Sequence, residues 1–438
     1  MKRLNTGVAW TGCVLLSCGF ALAQGGRPGK VVENNYIVTL KAGAAPAAVA
    51  GRHGMSPRFE YSAVANGFAA ALPAEALARL LNDADVDQVI EDREVEAIGK
   101  PSGGGTVLPA QVVPEGVQRI GASGLAYTGA GIGVAVVDSG IDLANKDLLI
   151  GSKSYSAVSR SAADDNGHGT HVAGIIGAVN NTIGVVGVAP QARVYAVKVL
   201  DRYGSGTDSS IIAGLDWVAK NAAAVSPVIR VVNMSLGRPG TLNDNPVLRQ
   251  SVQKLVQMGI TVVVAAGNDA TKEVSQQVPA TYPEVIAVAS TSAKSGLSAY
   301  PGFGGIGVDT ASFFTTDGAL IPAADGTGYV GVTISAPGED QEDVSSTGSI
   351  TSIGILSLKV GGGTVRMSGT SMAAPHVAGV AALLQQKFAG ALTSEGVRSK
   401  IANSASNLSA PYDSPTSTYT YDGDREGVLS AAGALAAP

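Results

Sequence analysis

"GIGVAVVDSG", residues 131–140, decides the fold. Val134, Ala135, Val136 and Val137 form an apolar run with no polar residue on either face, and it stops at a carboxylate, Asp138, before a Ser-Gly turn. A strand open to water on one face alternates polar and apolar residues, whereas a strand covered on both faces does not. The same kind of run returns in "ARVYAVKVL" (192–200), "VIRVVNMSLG" (228–237) and "ITVVVAAGN" (260–268). Between the runs lie helical stretches: "HGTHVAGIIGAV" (168–179), "SSIIAGLDWVAKNAA" (209–223) and "NPVLRQSVQKLVQMG" (245–259). The alternation predicts an α/β domain, a mostly parallel buried sheet with helices on both faces. Ligands of such sheets lie beyond the carboxyl ends of the strands, so Asp138, Ser235 and Asn268, which end apolar runs, are the residues to watch.

Ahead of this unit, residues 31–98 read as a small α+β domain. "YIVTL" (36–40) and "GFAAAL" (67–72) suit strands, "AEALARLLND" (74–83) a helix and "VDQVIEDREVEA" (86–97) a further strand, an economical split βαβ. "GKPSGGGTV" (99–107) is a Pro/Gly/Ser linker.

The first residues show a basic start, an apolar middle and Ala21-Leu22-Ala23, so residues 1–23 are expected to be a secretory signal peptide and the protein to be extracellular. "LLSC" (15–18) also resembles a bacterial lipobox, which would leave the protein lipid-anchored through Cys18; without that lipid no membrane association is expected. Both cysteines, Cys13 and Cys18, lie in this segment, so a chain cut after Ala23 forms no disulfide and relies on its core or on bound metal. Net charge is −5, with no basic run, which excludes a nucleic-acid partner. Residues 1–104 carry ten basic and ten acidic side chains, so the net charge belongs to residues 105–438.

Taken singly, each candidate residue has an ordinary reading. Ser371, where a Gly-rich loop enters the helix of "MSGTSMAAPHVAGVAALL" (367–384), suits an N-cap; Asp138 suits a turn; His168 in "NGHGTHVAG" suits a polar loop or a metal pair with His171. Together they supply an acid, an imidazole and a hydroxyl at the edges of apolar elements, and Asn268 adds an amide. Acyl-group hydrolysis needs that set: a nucleophile, a base, an orienter of the base and donors for an oxyanion. The chain order Asp…His…Ser excludes the Ser…Asp…His order of α/β-hydrolases, and Gly-Thr-Ser-Met-Ala is not Gly-x-Ser-x-Gly. "GAGIG" (129–133) precedes its strand rather than following one, so it is not a dinucleotide fingerprint.

"VAVVDSGID" (134–142), "GHGTHVAGIIGA" (167–178) and "GTSMAAPHVAG" (369–379) closely resemble the three active-site motifs of subtilisin-like serine peptidases. The resemblance implies Asp138 as orienter, His168 as general base, Ser371 as nucleophile and Asn268 as side-chain oxyanion donor. It makes residues 24–100 an inhibitor-like propeptide and 101–438 the peptidase domain. The implied product is a secreted, self-processing serine endopeptidase acting on protein and peptide substrates, expected as a monomer, with its own propeptide as intramolecular inhibitor. His376, one turn beyond the serine, reads as packing.

By the same resemblance, Gly204, Ser205 and Gly206 and the facing Ser235, Leu236 and Gly237 would sandwich an extended substrate through main-chain pairing. Arg238 stands where many relatives have a small residue. The side chains of Gln111, Asp147 and Asn181 with main-chain oxygens of Val179, Ile183 and Val185 resemble a structural Ca²⁺ site, an all-oxygen set suited to that ion. Residues 300–330 depart from the pattern and read as a surface insertion that could border the cleft.

Overall fold

The computed structural model describes residues 4–5, 29–101, 110–323, 325–416, 419 and 422–437. The leader of residues 1–23, Cys13 and Cys18 included, lies outside the described residues but for Leu4–Asn5, as does the linker from residue 102 onward. Among the described residues no helix is long and apolar enough to cross a membrane.

The small domain runs β1 (Val31–Leu40), α1 (Pro46–Arg52), β2 (Phe59–Tyr61), β3 (Gly67–Ala71), α2 (Ala74–Leu81) and β4 (Val86–Ala97). The strands pair antiparallel in the order β4-β1-β3-β2. Period-two geometry sends Val38, Leu40, Phe68 and Ala70 into a core with Val49 and Leu80 of the two helices. Ile37, Ala69 and Ile90 face the other way, into the core of the larger domain, so the end of β1 is buried on both faces. Two carboxylates complete this seam. Asp216 accepts the backbone N–H groups of Ser62, Ala63 and Val64 at 2.7–3.1 Å, and Asp92 accepts the N–H and hydroxyl of Ser209 at 2.9 and 2.5 Å.

The large domain contains β5 (Gly133–Asp138), α3 (His168–Gly177), β6 (Arg193–Lys198), α4 (Asp208–Asn221), β7 (Ile229–Met234), α5 (Pro246–Gln257), β8 (Thr261–Ala265), β9 (Ile286–Ser292), β10 (Ile334–Val344), β11 (Ile350–Leu358), β12 (Thr364–Ser368) and α6 (Thr370–Lys387). Its sheet order is β12-β11-β10-β9-β8-β7-β5-β6, parallel from β10 to β6 and antiparallel in β10-β11-β12. Along β5, Val134 and Val136 pack with α3 and α6, whereas Ala135 and Val137 pack with α4 and α5. Each apolar run thus feeds two cores. Connections leave β5 toward β6 on one side and return to β7 on the other, which opens a crevice at the carboxyl ends of β5, β7 and β8.

The antiparallel arm is where sequence and structure part. "GEDQEDV" (338–344) has a polar, loop-like composition, yet β10 carries it as strand with Glu339, Asp340 and Glu342 buried. Burial and the neighbouring Glu342 push the Glu339 carboxyl well above its usual range, and Asp340, raised to about 6 mainly by burial, pairs with Arg366 of β12.

Residues 300–330 are not a surface excursion throughout. Ala311, Ser312, Thr315 and Thr316 are fully buried, and the only regular pairing within the segment, among the described residues, joins Ile321–Pro322 to Tyr329–Val330. Small hydroxyl side chains satisfied by the backbone around them allow this burial, as where Ser290 N–H donates to Thr315 Oγ1 at 2.9 Å.

Candidate active site

Asp138 ends β5 fully buried, and His168 is the first residue of α3. The two elements close tightly: a side chain at Gly169 would meet Gly140 O at 2.1 Å, so only glycine lets the helix approach the strand end. No side chain caps α3 at Gly167, whose φ is 107°. Instead buried Asp164 shapes the entry, accepting the N–H groups of Asn166, Gly167 and Thr170 and the hydroxyls of Ser139 and Thr170. No sequence signal distinguishes Asp164, because "ADDNGHG" has the composition of an ordinary polar loop.

His168 Nδ1 lies 2.8 and 3.0 Å from the two Asp138 carboxylate oxygens. A carboxylate there accepts Nδ1–H and leaves Nε2 unprotonated, as a base requires. Burial opposes charge on this imidazole, but Asp138 more than offsets it, and the His168 pKa is raised. Nε2 is buried with no hydrogen-bond partner and faces Gly99, where an added Cβ would stand 2.9 Å away. His171 and His376 are buried against backbone carbonyls, and burial lowers them to about 3 and about 4. Both are packing residues here, and the His168–His171 metal pair does not form.

Ser371 is the second residue of α6 and is not its cap; Gly369 holds that position. Its hydroxyl donates to Ser235 O at 3.0 Å, and Ser235 Oγ donates back to Ser371 O at 2.8 Å. The return bond has a local cause. Pro375 has no N–H to bond the carbonyl four residues earlier, so Ser371 O needs another donor. The Ser371 N–H points out of the helix start and donates to Ile98 O at 3.2 Å. Asn268 Nδ2 donates to the same oxygen at 3.2 Å. Thr370 orients that amide by donating its N–H and hydroxyl to Asn268 Oδ1 at 2.9 and 3.0 Å.

Ile98 arrives on the extension of β4. Ser205–Thr207 pairs antiparallel with Glu94–Glu96 on one side, and Leu236 and Gly237 pair with Ala97 and Glu96 on the other. Ala97 N–H donates to Gly204 O at 2.9 Å, and Ile98 N–H to Ser235 O at 3.2 Å. All six residues expected to flank a substrate therefore flank this strand. A Cβ on Gly237 would fall 2.9 Å from Ile98 Cδ1, so the glycine makes room for that side chain. Arg238, just beyond, is buried and binds Asp208 through two bonds of 2.9 and 2.7 Å and Asp244 through one of 2.6 Å.

The six residues of the expected Ca²⁺ set also converge. Gln111 Nε2 lies within 2.7–3.2 Å of Val179 O, Asn181 Oδ1, Ile183 O and Val185 O. An amide has two N–H bonds for these four oxygens, and turning it would add Gln111 Oε1 to the ring. Asp147 Oδ1 accepts from Asn181 Nδ2 at 2.7 Å, while its Oδ2 is buried without a partner. An oxygen ring on one point beside an unpartnered carboxylate oxygen fits a hard cation.

Comparison with known proteins agrees with this arrangement. A model of the subtilase family matches residues 129–433, and one of the peptidase inhibitor I9 family matches residues 35–97. Subtilisin DY of Bacillus licheniformis is 34% identical over 305 residues, 68% of this chain and 93% of that protein. Subtilisin E of Bacillus subtilis (strain 168) is 36% identical over 350 residues, 78% of this chain and 76% of its own. M-protease of Shouchella clausii (strain KSM-K16) is 35% identical over 332 residues, 75% and 73% of the two chains. The molecule is a serine endopeptidase made as a zymogen, with an inhibitor domain preceding its catalytic domain. It belongs to the subtilase family.

Proposed function

We propose that Asp138, His168 and Ser371 act as a catalytic triad, with the Ser371 N–H and Asn268 Nδ2 as oxyanion donors. We further propose that the first bond the enzyme cuts is its own Ile98–Gly99. The observation that carries this reading is the Ile98 carbonyl oxygen, held between those two donors while Nε2 of His168 faces Gly99. The propeptide would then end at Ile98 and the peptidase begin at Gly99, two residues before the boundary expected from the linker.

The chemistry follows from the positions. Ser371 Oγ turns from Ser235 O and attacks the Ile98 carbonyl carbon as its proton passes to His168 Nε2. Negative charge gathers on the Ile98 oxygen, where the two donors already sit and need no reorganisation. The C–N bond breaks, the proton moves from His168 to the Gly99 nitrogen, and an acyl ester remains on Ser371. Water, deprotonated by His168, then cleaves the ester. Asp138 stays ionised and fixes the ring. Other proteins enter the cleft as β4 does, through main-chain pairing that tolerates varied side chains.

Gln111, Asp147, Asn181 and the carbonyls of Val179, Ile183 and Val185 hold structural Ca²⁺ in this reading. The ion supplies a cross-link between distant segments, in a chain whose two cysteines both fall in the leader. Residues 1–23 act as a secretory leader, supported by the basic start, apolar middle and A-x-A site.

Intact mass and casein hydrolysis, measured on wild type and Ser371→Ala side by side, test the triad and the bond. Wild type should yield a fragment beginning at Gly99 and digest casein, while the variant stays uncut and inert. Processing of Ser371→Ala at the same bond would overturn the reading.

A further inference from the structure

The 300–330 segment holds an unassigned contact with the catalytic loop. Thr316 is fully buried, and each of its polar backbone and side-chain bonds to this loop falls on one of the two neighbours of Asn268. Its N–H donates to Gly267 O at 3.0 Å. Its hydroxyl donates to Asp269 O at 3.1 Å and accepts from Asp269 N–H at 3.2 Å. The same hydroxyl fills the space beside Gly267, where an added Cβ would lie 2.6 Å from Thr316 Oγ1. Gly267 has φ of 128°, a backbone shape that glycine adopts freely and side-chain-bearing residues avoid, so the chain turns sharply just before Asn268. The segment is anchored in turn from beyond: Ser290 N–H donates to Thr315 Oγ1 at 2.9 Å, and Val274 N–H donates to Asp317 O at 2.7 Å.

From this geometry we infer that Thr316 is a positioning residue for the oxyanion donor, bracketing Asn268 fore and aft so that its amide stays aimed at the reacting carbonyl. The division of labour is physical. Thr370 sets the rotation of the Asn268 amide by occupying Oδ1, whereas Thr316 sets where the backbone carries it. Neither substitutes for the other, because a correctly rotated amide on a displaced backbone misses the oxygen. Oxyanion donors work best about 2.7–3.1 Å from where the charge develops in the transition state rather than from the ground-state oxygen, and misplacement by about 1 Å costs on the order of a hundredfold. The inference rests on the reading of Asn268 as that donor.

The test is a kinetic cycle on the matured enzyme with a peptide substrate. Thr316→Val keeps the side-chain shape and the Thr316 N–H but removes both hydroxyl bonds; kcat should fall about tenfold, part of the cost of losing a donor, with KM changed less than about twofold. Thr316→Ser, which restores the hydroxyl, should recover most of the rate. The deciding arm is Asn268→Ala. On that background Thr316→Val should lower kcat no further, since the donor it positions is gone. An undiminished tenfold loss there, or full activity of Thr316→Val in the parent, overturns the inference. If Thr316→Val fails to mature, Thr316→Cys takes its place in the cycle under the same criteria. Should Asn268→Ala alone leave kcat unchanged, the donor reading itself is wrong, and the inference falls with it by a separately visible route.

Discussion

Replacing Arg238 by Met probes the ionic support beneath the cleft. Arg238 belongs to Leu236–Pro239, one of the two segments flanking β4, and Asp208 immediately follows Ser205–Thr207, the other. Their ion pair therefore ties the two walls together, with side chains 2% and 0% exposed. Burial works against the guanidinium charge, but Asp208 and Asp244 more than offset it and hold its pKa above the ordinary value. Methionine roughly preserves the volume yet leaves Asp208 buried, with Asn245 Nδ2 at 2.8 Å as its remaining side-chain donor among these residues. Removing one partner of such a buried pair costs about 3–5 kcal/mol. At about 2.1 cal/mol/K of unfolding entropy per residue, that loss lowers the melting temperature of the uncut Ser371→Ala precursor, a unit the size of residues 24–438, by roughly 3–6 °C. The melts are best run by calorimetry on the Ser371→Ala form, where autolysis does not interfere. Adding Asp208→Asn to Arg238→Met should recover most of the loss, because the unpaired charge, rather than lost packing, drives it. A melt within about 1 °C of the parent for Arg238→Met, or a further drop in the double variant, would refute the electrostatic account.

Three other outcomes are expected. Because the His168 pKa is raised above 6.5 and Nε2 must be unprotonated to accept the serine proton, self-processing of the precursor should quicken from acidic to mildly alkaline pH; faster processing at pH 5 than at pH 8 would contradict the proposed base. A chelator should lower the melting temperature of the wild type, by an amount set by about 2.7 kcal/mol if the ion is present at a hundred times its dissociation constant, and should leave Gln111→Ala unmoved. A chelator-insensitive wild type would eliminate the cation site. Gly237→Ala, whose Cβ would fall 2.9 Å from the position of Ile98 Cδ1, should raise KM about tenfold or more for peptides with a large aliphatic residue before the cut while sparing those with Gly or Ala there, as steady-state kinetics on paired peptides would reveal. Equal effects on both peptides would separate Gly237 from side-chain recognition.

Much of the molecule is legible in its sequence because local physics is strong there. Apolar runs of Val, Ile and Ala can be satisfied only between two helix layers, so the parallel sheet follows from the runs themselves, and the residues that end those runs must lie at its carboxyl edge. Asp138 and Asn268 could be picked out because each ends an apolar run, and His168 and Ser371 because each stands where a Gly-containing loop enters an apolar helix. Tertiary structure alone decides what depends on residues far apart in the chain. The polar stretch 338–344 becomes a strand because Arg366, Ser312 and a shared carboxyl environment receive its acids. The 300–330 segment goes inside because its Thr and Ser hydroxyls find backbone partners that no local pattern announces. Ile98 lies in a stretch that reads as the tail of a strand, and only the pairing of β4 between Ser205–Thr207 and Leu236–Pro239 brings its carbonyl to two donors from separate segments. Composition and periodicity report how each segment must be buried; which distant group meets which is settled by the packing that brings them within hydrogen-bond reach.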